Sequence, residues 1–157
     1  MKKVCCFGEL LLRISLDTDV TRLAQNNMPF YIGGAEINVA TALANWGIPV
    51  KYSTELPNNI LSDDILNYLT NKNIDVMDIP KSGNRIGTYY LQQGRDLKNT
   101  SVVYDRACSS FAELKTGMID WDKVLEDVDW FHFSAISPAL NENALGVCKE
   151  ALQAASN

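Results

Sequence analysis

The run Val4-Cys-Cys-Phe7 constrains this chain more than any other segment. Successive side chains of a strand point to opposite faces of its sheet, so an unbroken apolar run must be covered on both faces. Gly8 ends the run. Such a strand belongs to a parallel sheet sheathed by helices, and the downstream pattern supplies them. Residues 36–46 read as the clearest helix, with Ile37, Ala40, Leu43 and Ala44 on one face. Gly47 stops it and Pro49 follows. Residues 50–53 read as a second core strand. Residues 62–72 read as a helix with Ile65, Leu66 and Leu69 inward and Asn73 at its end. Residues 74–79 read as a short extended segment. Asp120 caps a helix near 121–126, and residues 130–134 form a third apolar strand. Asn141 caps a last helix from 142 to about 154, with Glu142 at its positive end.

Further β-prone runs fall outside this alternation. They are residues 10–16, followed by a polar stretch to Asn27, and the short run 29–32. Residues 86–91 and 101–104 flank a polar segment and read as a hairpin with a long turn. No repeat or linker divides the chain. The expected class is α/β, with a mainly parallel sheet and extra strands beside it. A crossover helix normally delivers the chain to another parallel strand. The sequence stops on a helix, so an interrupted fold is expected.

Composition removes several function classes. The 157 residues fit one domain. A net charge of −5 and a pI near 4.8 oppose nucleic-acid binding, which needs a basic stripe. No apolar run approaches the roughly 18–20 residues of a membrane span, and the first apolar run is short for a signal peptide. The four cysteines, Cys5, Cys6, Cys108 and Cys148, form no C-x-x-C pair, and His132 is the single histidine. Neither a disulfide framework nor a zinc site is expected. The thiols read as small buried hydrophobes of a reduced, cytoplasmic protein. His132 reads as a packed strand residue. Asp63, Asp64, Asp120 and Asp122 read as helix-start acids rather than metal ligands. Asn99-Thr-Ser101 is a glycosylation sequon by spelling only.

The segment Gly33-Gly34-Ala35-Glu36-Ile37-Asn38 carries the most chemical information. Glycines let a ligand approach the main chain, and a helix starting there presents free N–H groups. Asn38 offers a donor and an acceptor, which suits sugar hydroxyls. A plain glycine turn feeding a helix fits the same residues. The segment is neither the dinucleotide pattern G-x-G-x-x-G nor a P-loop, and a dinucleotide-dependent oxidoreductase is correspondingly disfavoured.

The longer stretch Gly33-Gly-Ala-Glu-Ile-Asn-Val-Ala-Thr-Ala-Leu-Ala-Asn-Trp-Gly47 resembles the N-terminal signature of the PfkB (ribokinase-like) carbohydrate kinases. Gly8-Glu-Leu-Leu-Leu-Arg13 is similar to the opening of the 2-keto-3-deoxygluconate kinase and fructokinase branch. Phe131-His-Phe-Ser-Ala-Ile-Ser-Pro-Ala-Leu140 resembles the strand and loop over the sugar. The resemblance spans essentially the whole chain. It implies a Rossmann-type parallel core with a small β-sheet lid, inserted as strands near 10–16, 29–32 and 86–106. It also implies homodimerisation through that lid. By resemblance to the 2-keto-3-deoxygluconate kinases, Gly33, Gly34 and Asn38 belong to the substrate site. Tyr89, Tyr104 and Arg106 come from the lid, and Ile136 approaches through its main chain. Arg106 suits a sugar carboxylate because its guanidinium is a planar, permanent cation. Tyrosines offer an apolar face and a hydroxyl. Equally, strand tyrosines pack, and Arg106 has Asp105 beside it.

The implied reaction transfers the ATP γ-phosphate, with Mg²⁺, to a primary hydroxyl of a sugar or sugar acid, 2-keto-3-deoxygluconate by the same resemblance. Ala107-Cys-Ser-Ser110 departs from the run many such kinases carry there. A fructokinase-like or other PfkB specificity, or a non-catalytic sugar-binding or interaction module, therefore stays open. The family's Gly-Ala-Gly-Asp motif, whose Asp is the base, does not occur in these residues. The expectation is a sugar-side half that binds no nucleotide and does not catalyse the transfer alone.

Overall fold

A computed structural model describes residues 2–16, 28–92 and 102–156. The polar stretch up to Asn27, most of the turn between the lid strands and the Asn99 sequon lie outside the described residues.

β1 (Val4–Phe7) is the centre of a four-stranded parallel sheet. It pairs with β4 (Val50–Ser53) on one side and β8 (Trp130–His132) on the other. β5 (Ile74–Asp75) adds the far edge beyond β4. As the apolar run requires, Cys5, Cys6 and Phe7 are completely buried, and they alternate between two cores. Cys6 joins Ile37 and Ala40 of α1 (Ala35–Asn45) and Ile65 and Leu69 of α2 (Ile60–Thr70). Cys5 and Phe7 join Trp121 and Val124 of α3 (Trp121–Leu125), and Val147 and Ala151 of α5 (Glu142–Ala154). Phe7 packs edge-on against Trp121 at a centroid distance of 5.0 Å and beside Phe111 at 5.3 Å. The result is three layers, helix–sheet–helix.

A second, mixed sheet has the order β3-β2-β6-β7. β2 (Leu11–Leu16) runs antiparallel to β3 (Phe30–Gly33) and parallel to β6 (Gly87–Gln92). β6 pairs antiparallel with β7 (Val102–Asp105). The fold class expected from the sequence is therefore the one present. Among the described residues no helix is long and apolar enough to cross a membrane.

The expected elements shift at their ends for local reasons. α2 begins at Ile60 rather than 62, because the Asn59 side chain accepts from the Ser62 N–H at 3.0 Å and starts the helix earlier. Only Ile74–Asp75 of the expected 74–79 segment pairs as strand. Asp75 Oδ1 then accepts from the Met77 N–H at 3.2 Å and turns the chain. β8 stops at His132, and the Ser134 N–H turns to a carboxylate, described below, instead of the sheet. The expected loop beyond it holds a short helix, α4 (Ile136–Ala139). Pro138 fits its first turn, where no N–H is needed. Both Asp120 and Asn141 cap as expected, accepting from Lys123 N at 3.2 Å and Ala144 N at 2.9 Å. One expectation about the thiols is corrected. Cys5, Cys6 and Cys148 are buried, but Cys108 is exposed, on a turn after β7 with φ 53°.

Candidate functional site

The chain leaves β1 toward β4 on one side and returns much later to β8 on the other. In open α/β sheets the crevice at the C-terminal ends of such diverging strands is where ligands bind. The structure has a cleft there, with a volume of about 170 Å³, roofed by the small sheet. Its floor comes from Glu9, just past β1, from Gly34 to Glu36 at the start of α1, and from Ile136 and Ser137 of α4. Its roof comes from Leu11, Tyr89, Val102, Tyr104 and Arg106.

Gly34, Tyr89, Tyr104, Arg106 and Ile136, all singled out from the sequence, line this cleft. Gly34 caps α1 with φ 134°, and a Cβ there would stand 2.4 Å from the Glu9 carbonyl oxygen. That is a conformation and a spacing only glycine meets. Gly33, also singled out, is not among the lining residues; a Cβ on it would meet the Tyr89 hydroxyl at 2.6 Å. The glycine pair thus makes room for protein groups as well as for any ligand. Tyr89 and Tyr104 are cross-strand partners with ring centroids 5.8 Å apart. The Arg106 guanidinium sits 5.9 Å from the Tyr104 ring centre, within cation–π range.

Asn38 is placed elsewhere. It is exposed and lines a separate hollow of about 530 Å³ with Arg13, Tyr31 and Tyr68. Residues two apart on a helix are rotated by about 200°, so Glu36 and Asn38 face different ways. Glu36 is the one turned into the cleft.

Glu36 and Glu9 are the residues the sequence reading missed. Glu36 is 2% exposed. Its Oε1 accepts from the Ser134 N–H at 2.8 Å and the Ser134 hydroxyl at 2.5 Å, with the Ser137 hydroxyl at 3.4 Å. One carboxylate on α1 therefore holds the segment between β8 and α4, which carries Ile136. Glu9 is ion-paired with Arg106 and accepts from the Ser109 hydroxyl at 2.5 Å. Burial pushes the Glu9 carboxyl above the usual carboxylate range, against the pull of Ser109 and Arg106. Asp105, the neighbour that sequence alone offered to Arg106, is taken by Arg85 at 3.0 Å. His132, on β8, pairs in register with Cys6 of β1 and stays out of the cleft lining.

A helix-sheathed parallel sheet whose switch-point cleft is roofed by a small mixed sheet is the N-terminal portion of a ribokinase-like fold. The family model of the pfkB carbohydrate kinases matches residues 1–157, and the chain belongs to that family. A 2-dehydro-3-deoxygluconokinase from Thermotoga maritima is 39% identical with a TM-score of 0.90, over 99% of this chain and 48% of that one. A PfkB family carbohydrate kinase from Listeria grayi is 35% identical with a TM-score of 0.91, over 99% of this chain and 48% of that one. A 2-dehydro-3-deoxygalactonokinase from Haloferax volcanii is 30% identical over 150 residues, 96% of this chain and 47% of the relative. The chain thus spans about half the length of the relatives it matches.

The sequence holds no Gly-Ala-Gly-Asp run to cradle a phosphate and supply a base. Among the described residues no group of His, Cys, Asp and Glu is placed to hold a metal ion. The described residues do not fit ATP or Mg²⁺. The cleft presents a charged fork, aromatic faces and buried carboxylates around a space of about 170 Å³.

Proposed function

We propose that this chain forms the sugar-binding side of a kinase acting on 2-keto-3-deoxygluconate or a closely related sugar acid. ATP with Mg²⁺ is the proposed phosphoryl donor, bound outside these residues, and a primary hydroxyl of the sugar is the acceptor. The observation that carries the reading is the convergence of Gly34, Tyr89, Tyr104, Arg106 and Ile136 on one cleft at the sheet's switch point. In this reading Arg106 binds the carboxylate, the tyrosines cover the carbon chain, and Glu36 fixes the backbone at Ile136. The names of the similar kinases support a 2-keto-3-deoxy sugar acid as substrate.

A second reading has its own support. Glu9 already occupies Arg106, which favours a neutral sugar such as fructose. Sugar-dependent ADP release by the polypeptide purified from its native source separates the two. Turnover with 2-keto-3-deoxygluconate and not fructose supports the first reading, and the reverse supports the second. Turnover with neither, alongside calorimetric sugar binding, supports a non-catalytic sugar-binding module.

The small sheet is also the proposed dimer surface. Phe30 is 57% exposed and Val103 59% exposed on its flanking strands, which suits burial against a second copy. Sedimentation at twice the monomer mass is the expected result, and a compact monomer at micromolar concentration contradicts it. A reducing, cytoplasmic setting fits the thiols of Cys5 and Cys6, which burial pushes up to about 12 and so keeps inert.

A further inference from the structure

Arg106 is the sole cation among the described residues lining the cleft, and Glu9 and Glu36 line it too. Glu9 is 4% exposed and held from two directions, by Arg106 and by Ser109. The strand beneath is bare where the pair needs room. A Cβ on Gly87 would stand 2.7 Å from Glu9 Oε1 and 3.0 Å from Arg106 Cβ. Arg106 Nε is buried and has no partner among the described residues, so the guanidinium keeps donor capacity beyond its bond to Glu9.

The guanidinium that a sugar carboxylate needs is therefore already neutralised inside the protein. We propose that Glu9 sets the charge selectivity of the cleft: its carboxylate holds Arg106 in the unliganded chain, and a sugar bearing a carboxylate binds by sharing that guanidinium with it. A neutral sugar leaves the pair intact. The inference rests on the reading that sugars bind in this cleft.

The physical consequence is proton uptake. Two desolvated carboxylates on one guanidinium do not both stay ionised at low cost. The charged and titratable groups around Glu9 are Arg106 after β7, Arg85 before β6, Tyr52 on β4 and Glu36 on α1. Only the two arginines are cationic, so a second anion meets little compensation. Burial already favours the protonated form of Glu9. On binding the acid, Glu9 takes a proton from solvent, one O–H bond forms, and no bond of the sugar changes. By linkage, affinity for the acid falls as pH rises from the Glu9 carboxyl's value in the free chain toward its higher value with the acid bound, by up to about tenfold per pH unit for one proton. Affinity for an uncharged analogue does not change.

The test is calorimetric titration of the full polypeptide with 2-keto-3-deoxygluconate and with its uncharged methyl ester across a pH series, for wild type and Glu9→Gln. Glutamine keeps the shape and still accepts from Ser109. Glu9→Gln is expected to bind the acid about tenfold more tightly than wild type near neutral pH and to lose the pH dependence, while wild type binds the ester with no pH dependence. Unchanged acid affinity in Glu9→Gln, or a flat pH profile for the acid in wild type, overturns the proposal and leaves sugar binding standing. Failure of wild type to bind either compound overturns both. Should Glu9→Gln not fold, the wild-type pH series decides alone.

Discussion

Gly8→Ala tests how the cleft floor is held together. An added Cβ at position 8 would stand 2.1 Å from Glu36 Oε2, 2.3 Å from its Cδ and 2.7 Å from its Cγ. Those separations are inside contact distance, so the Glu36 side chain has to leave. It is 2% exposed and anchored at one oxygen by the Ser134 N–H at 2.8 Å and hydroxyl at 2.5 Å. A hydrogen bond to a charged group contributes about 1.5–3 kcal/mol. Discounting for the half-buried Ser134, displacing Glu36 costs about 3 kcal/mol. Glu36→Ala loses the same bonds and also costs about 3 kcal/mol. In the double variant the clash is gone, so the total stays near 3–4 kcal/mol instead of about 6, a coupling of roughly 2–3 kcal/mol. Urea unfolding followed by tryptophan fluorescence reads this directly. With a slope of about 2 kcal/mol/M, each single variant moves the midpoint down by about 1.5 M and the double by little more. Additive midpoint shifts would refute the reasoning, because they would mean Gly8 and Glu36 do not share one space.

Phe7→Ala empties the position where Phe111, Trp121 and Phe131 meet; a loss of about 3–5 kcal/mol is expected by urea unfolding. Arg106→Ala strands the Glu9 carboxylate in a buried site, and a comparable loss of about 3–5 kcal/mol is expected by the same assay, together with loss of sugar-acid binding by calorimetry. Asn141→Ala removes the cap of α5 and its bond to the Ala112 carbonyl; about 1 kcal/mol is expected, with reduced helical circular dichroism. Burial raises the carboxyls of both Glu9 and Glu55. The folded chain then binds their protons more tightly than the unfolded one, so stability declines as pH rises past the ordinary glutamate value. Asp78 and Asp127 go the other way: hydrogen bonds from Lys123 and Lys3 lower them, and their contribution is lost as pH falls. Urea midpoints across pH should fall on both sides, and Glu9→Gln with Glu55→Gln should flatten the alkaline side alone.

The architecture was legible because its signals are local and redundant. An apolar run with no polar break, as in β1, has one solution, and the glycine-bounded helix beside it fixes the next step. Capping acids and amides at Asp120 and Asn141 marked helix starts to the residue. Where the sequence misled, a partner distant in the chain intervened. β8 ends early because Ser134 bonds Glu36, some hundred positions before it. Arg106 turns to Glu9 rather than the adjacent Asp105, which Arg85 claims. Glu36 carried one available signal: a carboxylate directly after a glycine-capped helix start, about 200° around the helix from Asn38, cannot share Asn38's side. Glu9, a lone acid after a buried strand, carried none until the fold brought Arg106 and Ser109 to it.

A crystal structure of the polypeptide grown with 2-keto-3-deoxygluconate tests the central claim most directly. Electron density for the sugar against Gly34, Tyr89, Tyr104 and Ile136, with its carboxylate on Arg106, is the predicted result. Sugar density in the hollow beside Asn38 and Arg13, or a carboxylate that leaves Arg106 untouched, would contradict the account.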